Sequence, residues 1–392
     1  MQKVTSGLIY LDSSATSPPS PEVLQMMCAA HLEGWGNPSS LHLPGLKAAE
    51  VLERSRQVIA SAFNATVNEI ILCSGGTESI QLALLGTAAL FPSNESQLVI
   101  SAVEHPAVTA AAKQLSKQGW TIKVWPVNRQ GQIRLEYIDE LLAYPTRLVS
   151  IVWGQSEVGT LQPVRQIGQI CHERGILFHT DAVQVVGHEI IEWSKLPIDL
   201  LSFASHKFQG PRGIGGLLHR SIVPCQSQMN GGGQENGFRS GTESVPLVVG
   251  LATALELVTN RILSTEEGSP FQLWRDKLLT ELLSIPGIEL TGHPSLRLPH
   301  HISIICKTKH DKSLLGRALV KTLGNRGLAI SSGTACSSRE SYGSYVLKAM
   351  GYRKDEALTG LRLTLGPWHD FDTLHNIPSL LRFYTDSLSG IN

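Results

Sequence analysis

The sequence predicts an α/β chain, with a large domain built on a mainly parallel seven-stranded sheet covered by helices and a smaller α+β C-terminal domain. Seven short apolar runs, at 70–73, 98–101, 122–125, 148–152, 177–179, 200–203 and 216–219, read as buried strands. Most are separated by helix-compatible segments, the alternation expected of parallel strands joined by crossover helices. After Gly250 the character shifts: a helix candidate over 251–261 leads into Ser264-Thr265-Glu266-Glu267-Gly268-Ser269-Pro270, a polar break. The expected division is 16–257 for the large domain, with 1–15 and 258–392 forming the small one.

In chain order, residues 8–12 form a short strand signal that runs into Ser13-Ser14-Ala15-Thr16-Ser17-Pro18-Pro19, an arm rather than a domain. Helical spacing over 22–32 and 47–62 flanks the turn-rich Gly34-Trp35-Gly36-Asn37-Pro38-Ser39-Ser40. The first apolar run of the sheet passes through small residues into a helix over about 80–89. Beyond the polar break, strands are expected at 287–290, 302–306, 329–331 and 361–364 with helices between them.

The 392 residues carry 33 Lys plus Arg against 33 Asp plus Glu, a net charge of zero, so no basic field exists to hold nucleic acid or an anionic membrane. No window reaches the roughly 18 apolar residues a bilayer span needs, and the N-terminus lacks the apolar core of a signal peptide. The expectation is a cytoplasmic protein with a small ligand. Six scattered cysteines without a CxxC pair argue against a disulfide framework and against a cysteine zinc site, and no metal is expected.

Chemistry concentrates at the strand ends. Lys207, in Phe203-Ala204-Ser205-His206-Lys207-Phe208-Gln209-Gly210, should emerge where a parallel strand gives way to a loop, the ligand-binding edge of an open α/β sheet. A desolvated lysine there can condense with a carbonyl carbon, which points to pyridoxal phosphate; a surface lysine on an ordinary turn is the alternative. Ser74-Gly75-Gly76-Thr77 before a helix makes an anion cup from freed N–H groups and the Thr77 hydroxyl, or simply a capped helix start. Asp181 could keep a pyridine nitrogen protonated, or cap a helix. His105 could stack on a ring and move protons, or be structural. Cys336 sits in Ser331-Ser332-Gly333-Thr334-Ala335-Cys336-Ser337-Ser338, a stretch too polar to bury, and is the candidate nucleophile. Cys73, Cys171 and Cys306 stand in apolar or helical contexts that favour inert, buried thiols.

Taken together these residues resemble the cysteine desulfurases of the NifS and IscS type, in the class V aminotransferase group of fold type I pyridoxal phosphate enzymes, over nearly the whole chain from Tyr10-Leu11-Asp12 to Arg362-Leu363-Thr364. The resemblance implies that Lys207 holds the cofactor and that Asp181 pairs with its ring nitrogen. It also implies that His105 stacks on the ring while Gln184 contacts the phenolic oxygen. Gly76, Thr77 and His206 match phosphate ligands, and Thr242 matches one supplied by the neighbouring subunit, which implies a homodimer. Arg362 matches the arginine that grips the substrate carboxylate, and Cys336 the cysteine that carries a persulfide. L-cysteine is the implied substrate, with a sulfur-acceptor protein such as an iron–sulfur scaffold as partner. Two positions depart from the family pattern. Gln155-Ser156 replaces a pair of asparagines, so the contact to cofactor and substrate from the second position, now the shorter Ser156, is altered; Ala204 replaces a phosphate-binding serine, with Ser205 displaced by one residue. Rival readings are a selenocysteine or cystine lyase using the same lysine, and a low-activity regulatory homologue.

Overall fold

All seven apolar runs become strands of one sheet. The computed structural model describes residues 7–264, 270–307, 315–333 and 343–388. The chain opens with β1 (Ile9–Tyr10), α1 (Pro21–Glu33) and α2 (Leu43–Phe63). It then alternates through β2 (Ile70–Cys73), α3 (Gly76–Gln81), β3 (Gln97–Ser101), α4 (Pro106–Lys117), β4 (Thr121–Trp125), α5 (Ile138–Leu141), β5 (Thr146–Val152), α6 (Val164–Glu173) and β6 (Leu177–Asp181). Strands β7 (Leu200–Ala204) and β8 (Gly215–His219) complete the sheet. Helix starts follow local chemistry: the Ser20 hydroxyl accepts from Val23 N ahead of Pro21, and His105 Nδ1 accepts from Ala107 N ahead of Pro106.

The strand order is β2-β8-β7-β6-β5-β3-β4, with β8 antiparallel to both neighbours and every other pairing parallel. Strands β2, β3, β5, β6 and β7 therefore run the same way, and the residues that follow them emerge at one edge. This is the crevice where open α/β sheets bind ligands. The helix expected from about residue 80 starts at Gly76, because Gly75, with φ 156°, breaks the chain direction and leaves Gly76 and Thr77 as the first turn. It continues through a π-helical stretch over Leu82–Gly86.

Helix α7 (Val245–Leu263) starts earlier than expected and packs against α1 and α2 through Val245, Val248, Val249, Leu251, Ala252, Leu255 and Val258. Contrary to expectation it is long and apolar enough to cross a membrane, with a mean hydropathy of 1.4; half of that stretch is buried in the fold.

After α8 (Pro270–Leu283) come β9 (Ile288–Leu290), β10 (His301–Cys306), α9 (Gly316–Gly324), β11 (Leu328–Ala329), β12 (Ser331–Ser332), α10 (Tyr345–Ala349), β13 (Gly360–Thr364), α11 (Phe371–Leu374) and α12 (Ile377–Leu388). Strands β12-β13-β10-β9 form an antiparallel sheet, and β1 pairs in parallel with β11. Leu11, Leu278, Leu282, Ile302, Ile304, Leu319 and Leu363 share one core, to which the N-terminal arm thus contributes; Trp125, Trp193, Phe178 and Phe203 fill another around the large sheet. Thr364 N donates to Leu11 O at 2.8 Å, which fixes the arm beside β13.

Candidate active site

A cavity of about 260 Å³ lies at the common edge of the parallel strands, lined by Gly76, Thr77, His105, Ser156, Asp181, Gln184, His206, Lys207 and Arg362 among others. They come from five strand ends of the large sheet and from β13. Gly76 and Thr77 open the helix after β2, His105 follows β3, Ser156 follows β5, Asp181 ends β6, Lys207 closes a 3₁₀ turn after β7, and Arg362 lies in β13. A Cβ at Gly76 would lie 2.9 Å from Val183 Cγ2, so a larger residue there would displace the Val183 side chain.

Lys207 Nζ donates to the carbonyls of Ser14 (2.6 Å) and Ala15 (2.9 Å), and Gln184 Nε2 also donates to Ser14 O (2.9 Å). The hydroxyl-rich arm is thereby the wall that orients both side chains. Asp181 is buried, which raises its pKa; nearby His105 and Lys207 and the Val183 N–H, 3.0 Å from Oδ1, oppose that rise. Burial lowers the pKa of His105, against the attraction of Asp181 and together with the charge of Lys207. Because Nδ1 accepts from Ala107 N (3.1 Å), the neutral ring keeps its proton on Nε2. His206 is likewise neutral, pushed down to about 4 by burial and by Lys207 and Arg212.

Arg362 Nη2 pairs with Asp12 Oδ1 at 2.6 Å and Nη1 donates to Ser156 O at 3.0 Å. Composition gave no sign of this Asp12 contact, although Asp12 stands in the stretch that marks the start of the resemblance. Two further carboxyls escaped sequence reading. Glu104 Oε1 accepts from Ser101 Oγ (2.5 Å) and Val152 N (2.8 Å) behind His105, while Glu157 lies beside Gly333. Burial pushes each up to about 8. Glu104 stands beside His105, and Glu157 follows the substituted Ser156; neither position signals its burial.

Three expected site residues are not on the cavity wall. Ser205 is fully buried behind it, its Oγ packed against Gly210, while Ala204 faces the cavity; Ala204 ends β7 and Ser205 opens the 3₁₀ turn, where the chain changes direction and the hydroxyl turns inward. The expected phosphate contact from Ser205 is therefore corrected. Thr242 is exposed on the loop before α7. Cys336 lies outside the described residues. Burial raises Cys73 well above the usual thiol value, Cys171 and Cys306 to about 12, and Cys225 to about 11, as inert structural thiols require.

Residues 9–368 match the family model described as aminotransferase class-V. The chain is 37% identical to "Cysteine desulfurase IscS" of Methanosarcina thermophila over 91% of its own length and 87% of that protein's. It is 35% identical to "Cysteine desulfurase IscS 1" of Archaeoglobus fulgidus over 95% of each. Among solved structures, a "NIFS-LIKE PROTEIN" superposes with a TM-score of 0.88 at 31% identity, covering 96% of this chain and 99% of that one.

Proposed function

The chain belongs to the aminotransferase class-V family and is a cysteine desulfurase of the NifS and IscS type, and we propose that the cavity around Lys207 is its catalytic centre, built to hold pyridoxal 5′-phosphate. The observation that supports this most is the convergence in one cavity of an amine, a buried carboxylate, a neutral imidazole, a helix start with Thr77, and a guanidinium. That set fits a phosphorylated pyridine aldehyde. The amine suits the carbonyl carbon, the helix start with His206 suits the phosphate, and a protonated ring nitrogen would supply the cation that Asp181 needs to ionise in so buried a position. In this reading Gln184 would contact the ring oxygen, Ser156 the cofactor and His105 the ring face.

When bound, the cofactor accepts the electron pair released at the substrate Cα. Arg362, oriented by Asp12 and the Ser156 carbonyl, receives the carboxylate of L-cysteine. Lys207 removes the Cα proton, and His105 moves protons around the substrate. The Cys336 thiolate attacks the substrate sulfur. The Cβ–S bond breaks, the substrate carbon is reprotonated, and L-cysteine plus thiol become L-alanine plus a protein persulfide without an external oxidant. The persulfide then passes to an acceptor such as an iron–sulfur scaffold. Thr242 serves the neighbouring subunit's phosphate site in a homodimer. A cystine or selenocysteine lyase would leave no persulfide on this residue. Cys336→Ser should therefore keep the cofactor absorbance and the cysteine-dependent spectral change but lose the persulfide and alanine; undiminished persulfide on that variant would sink the assignment.

A further inference from the structure

Residues 334–342, which include Cys336, are flanked by Gly333 on one side and by Gly343 and Ser344 on the other. The Glu157 carboxyl touches both flanks. A Cβ on Gly333 would lie 2.6 Å from Glu157 Cδ and closer still to Oε1, so any larger residue there would push the carboxyl from its place. Ser344 is hydrogen-bonded to the same carboxyl, while Oε1 has no hydrogen-bond partner among the described residues. Tyr345 extends the attachment by donating from its hydroxyl to the carbonyl of Glu104, the residue before His105. On its other side Glu157 follows Ser156, whose carbonyl accepts from Arg362 Nη1 (3.0 Å) and His301 Nε2 (3.0 Å). One dipeptide thus joins the guanidinium assigned to the substrate to both flanks of the cysteine segment.

We propose that Glu157 is a positioning residue for sulfur transfer, its buried carboxyl setting where the two ends of the Cys336 segment leave the protein body relative to Arg362. The proposal rests on Cys336 being the sulfur acceptor. A nucleophile must meet its target within a fraction of an ångström, and a displacement of about 1 Å can cost as much as about 100-fold in rate. Burial keeps the carboxyl neutral near pH 7, so glutamine reproduces its shape and charge, whereas alanine removes the support.

The test compares cofactor-loaded wild type, Glu157→Gln, Glu157→Ala and Gly333→Ala. The absorbance change on adding L-cysteine is recorded, and persulfide is located and timed by thiol trapping and mass spectrometry. In Glu157→Ala, cysteine affinity should stay within about twofold while persulfide formation on Cys336 slows about tenfold or more. Gly333→Ala should behave similarly, and Glu157→Gln should restore the rate to within about threefold of wild type. Equal persulfide rates in all four proteins would overturn the proposal, as would a loss of cysteine affinity in parallel with the rate. If Glu157→Ala fails to fold, Tyr345→Phe takes its place: slowed persulfide with unchanged affinity supports the role, and an unchanged rate refutes it. Persulfide trapped on a different cysteine would instead refute the assignment of Cys336, on which the proposal stands.

Discussion

Glu104 shows how a single buried carboxyl couples to its surroundings. Its Oε1 accepts from Ser101 and Val152, tying the ends of β3 and β5 together, while Oε2 is buried without a partner among the described residues. Burial sets its folded pKa near 8, far above the ordinary 4.5, with Asp181 adding to the rise. Between those two values the folded state keeps a proton that the unfolded chain releases. Stability therefore falls as pH rises through this window, by up to about 1.4 kcal/mol per unit, and levels off above about pH 8. Glu104→Gln removes that slope without changing shape. Denaturant unfolding from pH 5 to 8 should show the variant gaining on wild type as pH rises; a constant difference would mean that Glu104 is ionised throughout. The hydroxyl that Ala204 lacks is present one residue later, but Ser205 buries it behind the cavity wall.

Helix α3, which opens with Gly76 and Thr77, is seated on the sheet by a buried polar row. Ser79 Oγ bonds Ser202 Oγ (2.7 Å) and Gly216 O (2.8 Å), and His179 bridges Ser202 (3.0 Å) and Ser150 (2.8 Å). Burial drives His179 down to about 3, so it stays neutral and can donate to one serine while accepting from the other. The row links the helix start to β5, β6 and β7, the strands that lead to Ser156, Asp181 and Lys207. A Cβ on Gly76 would push on Val183, whose N–H holds Asp181. Gly76→Ala should accordingly weaken binding of pyridoxal 5′-phosphate roughly tenfold, about 1.4 kcal/mol, while leaving the melting temperature of the cofactor-free protein nearly unchanged. Equilibrium dialysis checks the first part and thermal unfolding the second.

At the scale of the molecule, the site draws on both sheets: five strand ends of the large sheet supply most of the cavity wall, and β13 of the small one supplies Arg362. The N-terminal arm serves both, bonding β13 through Leu11 O and Thr364 N and offering the Ser14 and Ala15 carbonyls to Lys207. If the exposed Thr242 completes a neighbouring subunit's phosphate site, Thr242→Ala should weaken cofactor binding about tenfold, the effect of one charge-assisted hydrogen bond. Mixing Thr242→Ala subunits with Lys207→Ala subunits should then regenerate one intact site per hybrid dimer. Activity in the mixture that does not exceed the sum of the parents would place Thr242 outside the site.

The seven strands, their alternation with helices and the clustering of polar residues at strand ends were legible in the sequence, because short continuous apolar runs and glycine-rich turns are local signals. Lys207, Asp181, His105 and Thr77 were legible for the same reason: each stands just inside or just past such a run. Which side chains face the cavity follows from the packed fold, which turns Ala204 toward it and Ser205 away. It alone brought Asp12 to Arg362 across 350 positions of chain and buried Glu104 and Glu157 beside the site. Long-range ion pairs and the desolvation of a carboxyl depend on what packs from distant elements, and no local pattern of residues encodes that.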